Sequence, residues 1–171
     1  IQLEAARAVF ASDPAKAQQA VEKAARLSKE ALDDVRRSVG SLRTEEKRTA
    51  LPDALRNLTA DAGLAVNLVI DGETRPLASK IEHALFRATQ EGLTNVRKHA
   101  RTDHAKVHLD FRELHEVKLC ISDEGSGPNG APTNSGYGLK GMHERIELLG
   151  GSVHAAARPE GGFQVNIAVP V

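Results

Sequence analysis

The sequence predicts an α+β protein: a two-layer sandwich whose mixed, mostly antiparallel sheet carries helices on one face, preceded by an α-helical hairpin. Three observations predict it. Beyond residue 63, short segments alternate apolar and polar residues, the period of half-buried strands. Helical-period segments interrupt them irregularly, as in an α+β chain. Before residue 43 the apolar residues instead repeat every seven, the period of a packed helix pair.

Residues 1–43 give the hairpin. Leu3, Ala6 and Phe10 share one side of a first helix, and Ser12-Asp13-Pro14 stops it and starts another. Asp13 or Ser12 supplies the N-cap, and proline is tolerated in the first turn. Val21, Ser28, Val35 and Leu42 keep a heptad seam, with Ala24, Ala31 or Leu32, and Val39 at the offset positions. An alanine-rich seam of this kind is buried either against a second copy of the chain or against the chain's own globular part. Residues 44–50 are charged and serve as a linker, so the globular domain is expected over 51–171.

Within that domain Leu51, Leu55 and Leu58 mark a short helix. Leu64, Val66, Leu68 and Ile70 mark a strand that ends at Asp71-Gly72. Ser79 and Glu82 have the spacing of a capping box and open a helix to about His99. Lys106 to Phe111 and Val117 to Ile121 form a hairpin. A glycine- and proline-rich loop over 125–136 is followed by a helix from Leu139 to Leu149. Val153 to Ala157 and Phe163 to Val169 close the sheet as a second hairpin, turning at Pro159-Glu160-Gly161-Gly162.

Composition narrows the function. The chain has 171 residues, a net charge of +0, and 40% hydrophobic residues of which few are aromatic. The balance of charge excludes a nucleic-acid footprint. The single cysteine, Cys120, excludes an internal disulfide and a CxxC metal site. No apolar run spans a bilayer and no signal peptide is present. The chain begins inside a helical pattern without methionine, and is read as an excised piece whose parent remains free to be membrane-anchored.

Chemistry-bearing residues fall at three places. On the long helix, Glu91, Asn95 and His99 are spaced by four and flank the stripe of Ile81, Leu85, Ala88, Gly92 and Val96. A carboxylate, an amide and an imidazole in that row suit a metal-bound phosphate, since an amide oxygen ligates Mg²⁺ and a carboxylate orients a reacting group. A solvated helix flank gives the same pattern. On the next hairpin Val117, Leu119, Ile121 and Asp123 share parity, so Asp123 points into the helix–sheet gap. Burying it unpaired is costly, and an adenine amine would offset that cost. Gly125 and Gly127 would let the backbone approach a flat base. An ordinary turn after a strand reads similarly. Cys120 has the opposite parity and is read as packing. Third, Gly136-Tyr137-Gly138-Leu139-Lys140-Gly141 opens a helix, a place for phosphate. It matches the dinucleotide fingerprint only superficially, because a polar loop stands where that motif needs a strand.

Together these segments resemble the histidine-kinase ATP-binding domain. Glu91-Gly-Leu-Thr-Asn95-Val-Arg-Lys-His99 looks like its N box, Asp123-Glu-Gly125-Ser-Gly127 like its first glycine box, and Gly136-Tyr-Gly138-Leu-Lys-Gly141-Met142 like its second. The hairpin segment Glu30-Ala31-Leu32-Asp33-Asp34-Val35-Arg36-Arg37-Ser38-Val39 is similar to the dimerisation hairpin of the subfamily that signals to NarL-type response regulators. The resemblance implies a Bergerat-type fold, ATP with Mg²⁺, and a cytoplasmic location. It implies a homodimer through the hairpin, weakened by truncation, and a NarL-type response regulator as partner, with no nucleic acid and no direct membrane contact. It places Asp123 on the adenine amine, Asn95 on Mg²⁺, Glu91 as the catalytic acid/base or polarising residue, and Lys98 and His99 on phosphate or ribose. Gly125, Gly127, Gly136, Gly138, Leu139, Gly141 and Met142 would line the nucleotide, with residues 128–137 as a lid. The histidines (83, 99, 104, 108, 115, 143 and 154) all follow the linker, so the phosphoacceptor of such a kinase is expected just upstream of Ile1. Two other readings remain at this level. One is an ATP-gated interaction module or gyrase-type ATPase in which Glu91 activates water. The other is a dimerising scaffold with a degenerate site.

Overall fold

The structure is a computed structural model that describes residues 13–18, 20–21, 24–25, 28, 50–126 and 137–171. The chain divides into two compact units, 1–48 and 49–171. In the first, Asp13 is the N-cap: its Oδ1 accepts the Lys16 N–H at 3.1 Å, and Pro14 follows in the first turn. Ala17 is buried and Ala24 half-buried, whereas Val21 is 47% exposed and Ser28 is exposed. Burial along this seam is therefore uneven among the described residues: Ala17 is covered and Ala24 partly so, while Val21 and Ser28 on the same face are open in the single chain. The other seam positions, and Arg36 and Arg37, lie outside the described residues.

The second unit runs α1 (Leu51–Ala60), β1 (Ala65–Asp71), α2 (Ser79–Asn95), a π-helical turn (Val96–Ala100), β2 (His104–Asp110), β3 (Glu116–Asp123), α3 (Tyr137–Glu147), β4 (Ser152–Ala157) and β5 (Phe163–Pro170). The sheet order is β1-β2-β3-β5-β4, antiparallel except for the β1–β2 pair. Both expected hairpins are present. The parallel pair needs a crossover, and α2 is that crossover, which lays it across the sheet face.

Alternation decides which face is covered. Val107, Leu109, Val117, Leu119, Ile121, Val165, Ile167 and Val169 point to the helices and are buried. Lys106, Lys118 and Asn166, at the intervening positions, are exposed on the bare face. Leu85 and Ala88 of α2 and Met142 and Ile146 of α3 complete the core from the helix side. Phe86 is partly buried and Leu93 buried, away from the stripe of Ile81, Leu85 and Ala88, so α2 packs on more than one side.

Two local expectations need correction. Ser79 and Glu82 do not form a capping box. Ala78 is the N-cap, no side chain caps the helix, and the Ala78 carbonyl accepts the Ile81 and Glu82 N–H groups at 2.8 and 3.1 Å. Burial of Leu77 just before the helix sets where it begins, placing Ser79 inside the first turn. At its other end the helix widens into a π turn and stops at Arg101, which is left-handed (φ 57°).

Arg75 fastens the β2–β3 turn. Its guanidinium donates to the carbonyls of Phe111, Glu113, Leu114 and Glu116 at 2.6 to 3.2 Å and lies 5.6 Å from the Phe111 ring centroid. Carbonyls facing the inside of a turn have few other donors. Arg75→Ala should therefore cost about 1–3 kcal/mol in urea unfolding, and Arg75→Lys, lacking the planar fork, should recover only part of it. Beside this turn Arg112 grips Asp110 with Nε at 2.9 Å and its terminal nitrogen at 2.6 Å, holding that carboxyl down at about 2. A depressed carboxyl stabilises the fold above its unfolded value near 3.9, and the contribution is lost as pH falls through about 2. The urea midpoint of Asp110→Asn should lie below wild type at pH 6 and converge with it toward pH 2.

Candidate functional site

Asp123 is the last residue of β3 and is 6% exposed. As its parity predicts, it shares the covered face with Val117, Leu119 and Ile121. Sequence alone gave its carboxylate no partner, but the fold supplies one. Oδ1 accepts the Gly125 N–H at 2.9 Å, so the carboxylate caps its own turn. Among the described residues Oδ2 has no such partner, and no described side-chain oxygen is left buried without a hydrogen bond. One oxygen fixes the turn and the other remains for a donor arriving at the mouth of the gap.

Gly125 is buried where this turn meets the end of the π-helical turn. A Cβ there would overlap the Ala100 carbonyl oxygen and stand 2.9 Å from the Ala100 side chain. The first glycine segment and the end of the Asn95-bearing helix thus meet with no side chain between them. Gly138 makes the second close approach, within the first turn of α3. A Cβ on it would overlap the Glu91 carboxylate. The α2 and α3 segments are therefore also joined, and an anion already lies against the start of α3, where unpaired N–H groups favour negative charge.

Asn95 ends α2 and is half-buried, as is Glu91, while Lys98 and His99 are exposed in the π-helical turn. Arg97 and Arg101 add further positive charge there. Leu139 and Gly141 are half-buried in α3. The Met142 side chain is 1% exposed and belongs to the core, so it serves the site by seating α3. Gly127, Gly136 and the segment between them lie outside the described residues. Cys120 is half-buried on the other face, and burial pushes its thiol up.

Arg158, in the β4–β5 turn, went unmarked in the sequence. It donates to the Asp123 backbone carbonyl at 3.2 Å and to Glu160 Oε1 from two nitrogens, at 3.2 and 2.6 Å. The Glu160 bond, and the charges of Glu160, Glu124 and Asp123, push its guanidinium further toward the charged form. Only the chemistry of the turn, a cation two residues before an acid, hinted at this.

The donor set suits a magnesium nucleotide. Among the described residues no cluster of three or more His, Cys, Asp or Glu forms a metal cage. A single amide oxygen at Asn95 beside a carboxylate is what Mg²⁺ needs when phosphates and water supply the rest. Gly125 and Gly138 leave backbone bare where flat or charged groups must come close.

Comparison with known proteins gives the family. The chain belongs to the histidine kinase-, DNA gyrase B- and HSP90-like ATPase family, whose model matches residues 80–171. Within that family it falls with the histidine kinases, because the histidine-kinase model HisKA_3 matches residues 1–47. It is 32% identical over 170 residues to the sensor histidine kinase LnrJ of Bacillus subtilis, covering 97% of this chain and 42% of that one. It is 30% identical over 156 residues to the histidine-protein kinase/phosphatase DegS of Brevibacillus brevis, covering 85% and 39%. The chain thus spans about two fifths of the length of these curated relatives. The ATP-binding domain of PrrB from Mycobacterium tuberculosis shares the fold, with a TM-score of 0.57 at 22% identity over 71% of this chain and 94% of that one. These relatives set aside the gyrase-type reading. Among the described residues no helix is long and apolar enough to cross a membrane.

The Gly138–Glu91 contact makes a specific prediction. Gly138→Ala should cost little in urea unfolding, about 1 kcal/mol or less, because the Glu91 carboxylate can swing aside and alanine favours a helix, but it should displace that carboxylate from the start of α3. A double-mutant cycle with Glu91→Ala should return a coupling of about 0.5 kcal/mol or more, whereas strictly additive effects would place the carboxylate elsewhere.

Proposed function

We propose that this chain is the ATP-binding catalytic part of a two-component sensor kinase that moves the γ-phosphoryl group of ATP to a histidine. One observation carries the reading: Asp123, buried at the strand end, has one carboxylate oxygen bound to its own turn and the other left at a mouth lined by bare backbone. An adenine amine is the donor that suits it. Asn95 would take Mg²⁺, which draws off phosphate charge when bound. Lys98 and His99 would meet phosphate or ribose, and the start of α3 would face phosphate oxygens. Gly127, Gly136, Gly138, Leu139 and Gly141 would line the path between base and phosphates, beneath a lid formed by 128–137.

Phosphoryl transfer needs alignment and charge neutralisation more than covalent help. The unprotonated ring nitrogen of a neutral histidine attacks the γ-phosphorus, the bond to the ADP oxygen breaks, and the proton on the other ring nitrogen passes to a base. Glu91, beside the start of α3, is the residue for that task. The hairpin over 1–43, joined by residues 44–50 to the catalytic domain at 51–171, contains no histidine. The acceptor must therefore come from another stretch of chain. The match of residues 1–47 to a histidine-kinase model and the exposure of Val21 on the seam support pairing with a second copy through the hairpin. The same match supports a NarL-type response regulator as the final acceptor, and a cytoplasmic location for this part of the protein.

Calorimetric titration should show Mg²⁺-dependent ATP binding. Asp123→Asn should weaken it by about tenfold to a hundredfold, the worth of a hydrogen bond to a charged group. Asn95→Ala should mainly remove the dependence on Mg²⁺. With a separately prepared, histidine-bearing hairpin and ATP labelled at the γ-phosphate, the label should appear on the hairpin as acid-labile phosphohistidine. Release of free phosphate alone would refute the kinase reading, and equal affinity in the Asp123 variant would refute the adenine contact.

A further inference from the structure

We infer that Arg158 is a positioning residue for nucleotide recognition: from the β4–β5 turn it locks the peptide that aims the Asp123 carboxylate. The inference rests on Asp123 reading the adenine amine. Nothing in the sequence pattern of the three segments includes this turn, which lies 35 residues after Asp123.

The geometry fixes one peptide group from two sides. The Asp123 carbonyl accepts from the Arg158 guanidinium at 3.2 Å, through a side chain only 20% exposed. Gly162 backs against the same carbonyl so closely that a Cβ on it would overlap the Asp123 oxygen. Gly162 is left-handed (φ 87°), a conformation side chains resist, and its own carbonyl accepts the Arg158 N–H at 3.0 Å. The turn is therefore a small closed frame. Arg158 spans it, Glu160 holds the guanidinium with Oε1, and Gly162 seats it on the end of β3.

This frame has a consequence for the carboxylate. On one side β2 still pairs with Asp123 through Ala105, but the ladder with β5 has ended at the Ser122–Gln164 pair, so on that side the Asp123 carbonyl is left to Arg158. Rotation of that peptide would swing the Gly125 N–H away from Oδ1 and turn Oδ2 off its line. Arg158 holds the peptide by its carbonyl and leaves both carboxylate oxygens alone. A cation placed on the carboxylate itself would fill the oxygen that the base needs. Asp123 meets the ligand, and Arg158 acts through it.

The test is the preference for ADP over inosine diphosphate, which carries a carbonyl oxygen where adenine carries the amine. Both affinities are measured by calorimetry in the wild type, Arg158→Met and Arg158→Lys, with thermal melts alongside. Wild type should favour ADP by about tenfold or more. Arg158→Met, which keeps the apolar stem, should narrow the ratio to within about threefold, mainly through loss of ADP affinity, and Arg158→Lys should restore most of it by donating to the same carbonyl. A purely structural role would lower the melting temperature and weaken both nucleotides alike, leaving the ratio unchanged; that result overturns the inference. If Arg158→Met does not fold, Glu160→Ala, at an exposed position, takes its place and should narrow the ratio in the same direction by releasing the guanidinium. A wild type without preference overturns the adenine reading itself, and the role of Arg158 with it. A preference that survives in Arg158→Met or Glu160→Ala overturns only the role of Arg158.

Discussion

The site depends on one approach of backbone to backbone, that of Gly125 against the carbonyl of Ala100. No side chain fits there, so the turn after β3 and the end of the Asn95-bearing helix settle at a single separation. That separation sets where the Asp123 carboxylate stands relative to Asn95 and His99. The contact is steric and leaves little room for drift, unlike a salt bridge between flexible side chains. Gly92 repeats the arrangement further back along α2, where a Cβ would stand 2.8 Å from the Ile121 side chain. The helix is thereby held down on β3 at two points. Burial of Leu85 and Ala88 in one core with Leu119 and Ile121 supplies the driving force, and the glycines supply the register.

Charge is arranged around that frame in a definite order. The acidic end holds Asp123, Glu124 and Glu160, with Arg158 as the cation among them. The other end holds Arg97, Lys98, His99 and Arg101 on the π-helical turn. Glu91 lies between, against the start of α3. A nucleotide has the same polarity, with a base that donates at one end and phosphates that accept at the other. Complementarity of this kind orients a ligand before it tightens the hold on it. The wide turn at 96–100 also fits a functional site, since π-helical segments concentrate at such places.

What the sequence made legible was what repeats. Strand parity at Val117, Leu119, Ile121 and Asp123 aimed the carboxylate correctly, because alternation survives any tertiary context in which one face is buried. The spacing of Glu91 and Asn95 sets them one turn apart on α2, whereas His99 falls in the π-helical turn, where that spacing no longer applies. The π-helical turn was not legible, since nothing in Val-Arg-Lys-His-Ala separates a wide turn from an ordinary one. The capping box failed because local propensity at Ser79 and Glu82 was outweighed by burial of Leu77. The Gly138–Glu91 and Arg158–Asp123 contacts were hidden for a different reason. Each joins residues far apart in the chain through a single pair of atoms, and no periodic pattern encodes such a pair.

The Arg158 contact bears on how a buried acid can read a base at all. A carboxylate in the gap must be fixed in direction and left partly unbonded, and these demands conflict. Direct pairing with arginine would meet the first and defeat the second, because a guanidinium fork tends to take both oxygens. Here the demands are divided. The Gly125 N–H takes one oxygen, the arginine takes the backbone carbonyl one step away, and its positive charge still faces the acid. Orientation is thus provided through the main chain while recognition stays with the side chain. The same division accounts for the glycine at 162, since the carbonyl can be reached by arginine on one side only if nothing larger than a hydrogen crowds it from the other.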